Sequence, residues 1–213
     1  MKEATGTATE SLRVEPFDEH NRKLVDNVHP ADWKNPEPKE RYHLVAVGAG
    51  SGGLITSAIG AALGGKAALI ERHLLGGDCL NVGCVPSKGI ISAARSWQAA
   101  ASSRETFGGP AVSGAGDFAR AMERMRRLRA AISPADSVRR YSELGVDVFL
   151  GHARFTGPDR LEVDGKTLRF RRAVIATGAR AAAPPIPGLE DGRHLTNETI
   201  FTLTELPRRL AVI

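Results

Sequence analysis

Cysteine is scarce in this sequence: 213 residues hold two, Cys79 and Cys84. A secreted scaffold stapled by disulfides uses more of them, spread more widely, so that class is excluded. Aromatic residues make up only 5% of the chain, too few for a platform on which single-stranded bases stack. No apolar run reaches about 18 residues, so no membrane helix is expected. Met1–Glu10 is polar and lacks an apolar signal core, which argues against export and for the cytoplasm. The formal net charge of +5 raises nucleic acid as a partner. Its basic residues concentrate in 120–140 and 169–172. In the first run, Arg120, Arg124, Arg126, Arg127 and Arg129 share a helical pattern with the apolar stripe Met122, Met125, Leu128 and Ile132. A solvated helix face accounts for them, and no nucleic-acid motif stands beside it.

What is present is ordinary globular material, 42% hydrophobic and 25% charged. Residues 1–40, with Pro16, Pro30, Pro36 and Pro38 among many charges, read as a loosely ordered extension. Order begins near Tyr42. His43–Val47 reads as a buried strand, a glycine-rich turn and a small-residue helix to about Leu63 follow, and Lys66–Glu71 is a second strand. This is a βαβ unit. Helices are expected over Cys84–Ala101 and Asp117–Leu144, the latter bent at Pro134, with a loop over 102–116 between them. Short strands follow at Val146–Leu150, Ala153–Thr156, Arg160–Val163, Thr167–Arg171 and Ala173–Thr177, with Asp164-Gly165 as a hairpin turn. Leu210–Ile213 reads as the start of another strand.

The glycine turn has chemical content. Gly48, Gly50 and Gly53 match Gly-x-Gly-x-x-Gly, directly after a strand and opening a helix, and Glu71 ends the next strand. Gly48 permits the tight turn, Gly50 lets a pyrophosphate approach the backbone, and Gly53 allows helix and strand to pack closely. The helix N-terminus, where Ser51 and Gly52 lie, offers amide donors to phosphate. Glu71 would accept from ribose hydroxyls. A carboxylate there disfavours a 2′-phosphorylated nucleotide and leaves NAD and FAD open.

The cysteines stand in Gly76-Gly77-Asp78-Cys79-Leu80-Asn81-Val82-Gly83-Cys84-Val85-Pro86-Ser87-Lys88. On a straight helix, residues five apart have Cα atoms roughly 8.5 Å apart, whereas a disulfide wants no more than about 7 Å. Cys79 is therefore expected before the helix or in a distorted first turn, a departure that Gly83 allows and Pro86 tolerates. Cys84 near the positive helix end favours a thiolate, and Lys88, one turn on, adds a cation. Zinc needs about four ligands, and none of the six histidines has metal spacing near the pair. Buried structural thiols and a static disulfide explain less of the surrounding residues than a reactive dithiol does.

With these motifs, and with Ala176-Thr177-Gly178-Ala179, the chain resembles the pyridine nucleotide-disulfide oxidoreductases over about residues 42–213. Within them it is similar to the lipoamide dehydrogenase, glutathione reductase and mercuric reductase branch. Leu75–Cys79 and Leu206–Ile213 look most like the mercuric reductases. The resemblance implies an α/β fold: a doubly wound, Rossmann-like FAD domain over 41–206 with a small antiparallel insertion, then the first strand of an NAD(P) domain at 207–213. It implies FAD at the fingerprint, touching Gly48, Gly50, Ser51, Gly52, Gly53, Glu71, Arg72, Gly77, Asp78, Ala153, Ala176, Thr177 and Gly178. Cys84 would be the thiolate against the flavin, Cys79 the outer interchange thiol, and Lys88 a cation near the reactive ring edge. The family commonly has Thr where this chain has Asp78, which puts a carboxylate near the pyrophosphate.

The implied activity passes electrons from NAD(P)H through FAD to the cysteine pair, and on to a small-molecule disulfide or a metal ion, in a homodimeric parent. The chain reads as the front portion of such an enzyme, lacking what turnover needs. The competing class is a flavin-binding module without turnover of its own. No resident metal, nucleic-acid partner or membrane contact is expected.

Overall fold

The computed structural model describes residues 12–114, 116–189 and 194–213. Four parallel strands form its centre: β1 (Tyr42–Val47), β2 (Ala67–Glu71), β3 (Val146–Leu150) and β6 (Lys166–Ile175). With β4 (Arg154–Gly157) and β5 (Arg160–Val163) they make one six-stranded sheet in the order β3-β2-β1-β6-β5-β4. The first three interfaces in that order are parallel and the last two antiparallel. The expected α/β architecture is therefore present. The two expected strands over 167–171 and 173–177 are one, β6. Its first half pairs with β5 and its second half with β1, so a single strand carries the chain from the insertion back into the central sheet.

Side-chain alternation explains how the sheet is buried on both faces. Ala46, Ala67, Leu69, Val146 and Val148 point to one face, where they meet α2 (Ser51–Ala62), α1 (Glu19–Val28) and α6 (Val138–Glu143) through Leu54, Leu24, Val25, Val28, Val138 and Tyr141. Val45, Ala68, Ile70 and Phe149 point to the other face and share a core with Leu161, Val163, Leu168 and Phe170 of the β5–β6 hairpin. The four residues Ala67–Ile70 are all buried, as a central parallel strand requires. A third cluster, Met122, Met125 and Phe201, lies where α5 (Phe118–Ile132) packs on α4 (Cys84–Phe107).

The expectation of a loose arm over 1–40 does not hold for residues 12–40; residues 1–11, including the polar start at Met1–Glu10, lie outside the described residues. Asp18 caps α1 by accepting from the Asn21 amide at 2.9 Å and takes the Arg126 guanidinium at 2.6 Å. Leu24 and Val28 are fully buried. Trp33 donates its indole N–H to the Val148 carbonyl, and Asn35 exchanges two bonds with the backbone of Leu150. The prolines thus punctuate a segment that an apolar helix face and strand-edge bonds hold in place.

Other boundaries moved for local reasons. α4 runs on to Phe107, into the expected loop, until Gly108 at φ 65 accepts the left-handed C-terminal position. Gly109–Gly114 carry the loop on, with Ala115 outside the description. Around Pro134 the second helix breaks into α5, a 3-10 turn over Ser133–Asp136, and α6 capped by Ser137. Residues 207–213, expected to begin a strand, are not one: Leu210, Val212 and Ile213 are exposed, and no strand among the described residues pairs with them.

The basic run on α5 is also corrected. Arg126 and Arg129 are buried, on the same stripe as Met122 and Met125, whereas Ile132 is exposed. Burial alone would raise the Asp18 pKa, but the Asn21 amide and the bond and charge of Arg126 outweigh it and hold the carboxyl below its usual value. The ionised form is therefore favoured by folding, and its contribution is present above pH ~4 and lost as pH falls further. Asp18→Ala is expected to destabilise the chain by about 1–3 kcal/mol at neutral pH, from the lost cap and ion pair. In urea denaturation the gap between wild type and variant should narrow below pH 4; a gap that stays constant into acid would contradict the ion-pair assignment.

Candidate functional site

Parallel strands leave their carboxyl ends open, and here β1 is the switch point, with β2 on one side and β6 on the other. A cleft of about 1310 Å³ lies at these ends. It is lined by Gly48, Gly50, Ser51 and Gly52 after β1, Glu71 and Arg72 after β2, and Gly151, His152 and Ala153 after β3. Ala176, Thr177 and Gly178 line it after β6, and Gly77, Asp78 and Cys79 from α3 (Gly77–Asn81). Of the expected site residues, Gly53, Cys84 and Lys88 stand outside this lining.

The glycines divide by task. Gly48 sits at φ 98, and a Cβ there would lie 2.3 Å from the Ala176 carbonyl oxygen. A Cβ on Gly53 would lie 1.8 Å from the Gly48 carbonyl oxygen. These two let β1, α2 and β6 come together, and the fold itself demands them. Gly50 differs: its φ of −77 suits any residue, and a Cβ would meet only the Gly77 Cα, at 3.7 Å. The fold has no need of glycine at this position, which is open on the cleft side. First-turn amides of α2 have no partner within the helix and face the same space. A cradle that one methyl group would fill, beside free amide donors, fits a dinucleotide pyrophosphate.

Glu71 is placed as expected but is also engaged by the protein. Its Oε2 accepts from the Ala49 amide at 2.7 Å and its Oε1 from the His73 amide at 2.8 Å. The carboxylate thus fixes the glycine turn against the β2 end, and each oxygen keeps a lone pair for a ribose hydroxyl. Asp78 is exposed on the cleft lining, and among the described residues its carboxylate makes no hydrogen bond or ion pair.

The cysteine segment shows the expected distortion. α3 ends at Asn81, Gly83 adopts φ −134 and ψ −111, and α4 starts at Cys84. Both cysteines are free thiols, Cys79 half-buried and Cys84 exposed. The neighbouring Cys84 side chain raises the Cys79 thiol pKa, burial and the charge of Asp136 add to it, and the Cys84 backbone opposes it. Lys88 is exposed one turn along α4.

Several cleft residues were not singled out from sequence. Asn81 donates to the carbonyls of Leu75 and Gly77, and its Oδ1 is buried with no partner among the described residues. Arg129 lines the cleft at 2% exposure, donating to the Asn81 carbonyl and the Asn21 side chain, both at 2.6 Å. Burial, then the neighbouring Arg126, lowers its pKa to about 10, with Asp18 opposing. The spacing of Met122, Met125, Arg126 and Arg129 is a buried stripe and could have revealed it. Arg180, Glu198, Phe201 and Thr202 also line the cleft, with Arg180 paired to Glu198 at 2.8 Å; they come from a segment with no periodic signal.

A glycine cradle at a sheet switch point, with two thiols beside it, is the arrangement that a nucleotide-dependent redox protein needs. A family model described as pyridine nucleotide-disulphide oxidoreductase matches residues 42–213, and the chain belongs to that family. It is 35% identical to a mercuric reductase of Staphylococcus aureus over 173 residues, covering 81% of this chain and 31% of that protein. It is 32% identical to a glutathione reductase of Burkholderia cepacia over 186 residues, covering 82% and 38%. Among solved structures it is similar to a Cu(II) complex of the HOCl-induced flavoprotein disulfide reductase RclA from Escherichia coli, with a TM-score of 0.63, 26% identity and coverage of 79% and 36%. The chain thus spans about a third of the length of these relatives. Among the described residues no helix is long and apolar enough to cross a membrane.

Thiol alkylation should report the asymmetry of the pair. With iodoacetamide and peptide mapping at pH 8, Cys84 should react faster than Cys79. Asp136→Asn should speed Cys79 by a few-fold, because a nearby negative charge that raises its pKa is gone. Equal rates at both thiols, or no response at Cys79, would contradict the arrangement.

Proposed function

We propose that this chain is the FAD-binding, dithiol-bearing portion of an oxidoreductase that carries electrons from NAD(P)H by way of FAD to Cys79 and Cys84. From there they pass to a small-molecule disulfide or a metal ion, as in the mercuric reductases, several of which are among its relatives. One observation carries the reading: Cys79 lies on the lining of the cleft that the glycine fingerprint builds, with Cys84 against it. The parent protein is proposed to be a cytoplasmic homodimer.

The residues divide the work. Gly50, Ser51 and Gly52 would take the pyrophosphate, Glu71 and Ala153 the adenosine end, and Ala176–Gly178 the segment between adenosine and flavin. Bound there, FAD supplies reversible two-electron chemistry. Cys84 begins the 24-residue α4, where the helix dipole favours negative charge, and is proposed as the flavin-facing sulfur. Cys79 is proposed as the thiol that meets substrate, on the family resemblance; it exchanges as the thiolate, so its raised pKa makes that exchange quicken as pH rises. Lys88 follows Cys84 by one turn and adds positive charge at the same helix end.

Full-length parent protein should reduce a small disulfide or Hg(II) with NADH or NADPH, and Cys79→Ser and Cys84→Ser should each abolish the reaction while leaving flavin bound. Retained turnover in either variant would overturn the dithiol assignment. Gly50→Ala should keep the wild-type melting temperature but weaken FAD affinity tenfold or more, a loss of about 1.4 kcal/mol. Gly53→Ala should instead destabilise the fold. If Gly50→Ala binds FAD as wild type does, the cradle is not the pyrophosphate site.

A further inference from the structure

Arg129 is an uncompensated buried cation beside the cleft. Arg126, one turn earlier on α5, is neutralised by Asp18 at 2.6 Å. Arg129 has no carboxylate partner among the described residues; its two bonds go to an amide carbonyl and a side-chain amide, both uncharged. Its Nε–H is buried and has no partner among the described residues. A charge in this position is costly unless an anion offsets it. The residues it holds lead to the cradle: Asn81 accepts from Arg129 through its main chain and donates through its side chain to Gly77, and Gly77 packs against Gly50. The one charged residue of α3, Asp78, is negative and leaves the phosphate region in greater need of a cation.

We propose that Arg129 is the cation that offsets the phosphate charge of the bound dinucleotide, acting from the floor of the cleft through the low-dielectric space around Asn81. The role rests on the dinucleotide reading above and adds a residue to it. A unit charge at such a depth, with little water between, contributes a tenfold to hundredfold preference for a phosphorylated ligand over its neutral counterpart, on the order expected at an intermediate effective dielectric. A purely structural role, in which Arg129 only ties α1 to α3, gives no such preference.

The test compares ADP with adenosine, by calorimetry or ligand-observed NMR, on the whole chain. Wild type should bind ADP at least about tenfold more tightly than adenosine. Arg129→Met should lower the ADP preference about tenfold or more with adenosine binding retained, and Arg129→Lys should recover part of it. The double variant Asp18→Asn/Arg126→Met removes the compensated pair and should keep the preference. Parallel weakening of both ligands in Arg129→Met, or an unchanged preference, would overturn the role. Because Arg129→Met also removes two structural bonds, a wild-type measurement stands beside it: the Arg129 Nε–H resonance should move with ADP and stay in place with adenosine, and the reverse or no movement overturns the proposal. If wild type binds neither ADP nor adenosine, it is the dinucleotide reading itself that falls.

Discussion

The structure depends on the approach of bare backbone to bare backbone at the end of β1. The carbonyl of Gly48 lies where a side chain on residue 53 would be, and the carbonyl of Ala176 where a side chain on residue 48 would be. Because nothing intervenes, the first turn of α2 starts directly over the strand ends, and β6 runs beside β1 as far as Ile175. The cleft exists at this place because four strand ends and one helix start converge there. A single methyl group at either glycine would push the helix away from the sheet and displace the amide donors from the cradle. Backbone geometry, more than any side chain, sets where the ligand's phosphates can sit.

The second constraint is electrostatic. Arg129 on the cleft lining is buried without a salt-bridge partner among the described residues, and Cys79 lines the same cleft. Arg129 fixes the Asn81 carbonyl at the residue before the kink that separates α3 from α4. One guanidinium thereby holds the stretch that sets the spacing of the two sulfurs, and the Asn81 side chain links that stretch to Gly77 beside the cradle. Asp136 works on the same stretch from the other side, raising the Cys79 pKa and lying close to the Gly76 turn. Proton affinity at Cys79 is raised first by its neighbour Cys84 and by burial, and the charge of Asp136, on the turn after α5, adds to it.

Much of this was legible in the sequence because the informative residues are local. Gly48, Gly50, Gly53 and Glu71 report one βαβ unit, and the distortion at Gly83 follows from the impossibility of bridging five residues along a straight helix. What escaped depends on long-range packing. Arg129 reads as one more basic residue in a solvated run, since its burial depends on Asn21, 108 positions away. The segment 12–40 reads as a loose arm because its prolines and charges outnumber its apolar residues, although Leu24, Val25 and Val28 are enough to dock α1. Arg172 breaks the apolar pattern of β6 and made it look like two strands; in the structure the strand simply passes from one pairing partner to another. Leu210–Ile213 has the composition of a strand, but composition cannot supply the neighbour that a strand needs.

The bonds from Trp33 and Asn35 to β3 have a consequence for how the chain behaves while it is being made. β3 is one of the two edges of the sheet, and an edge with free amides and carbonyls is a template for a neighbouring molecule's strand. Here the indole and the side-chain amide occupy that template, and they do so from 115 residues upstream. A nascent chain therefore carries its own blocking group long before the edge that it blocks has been synthesised. Association between copies through this edge is resisted by residues made well before it.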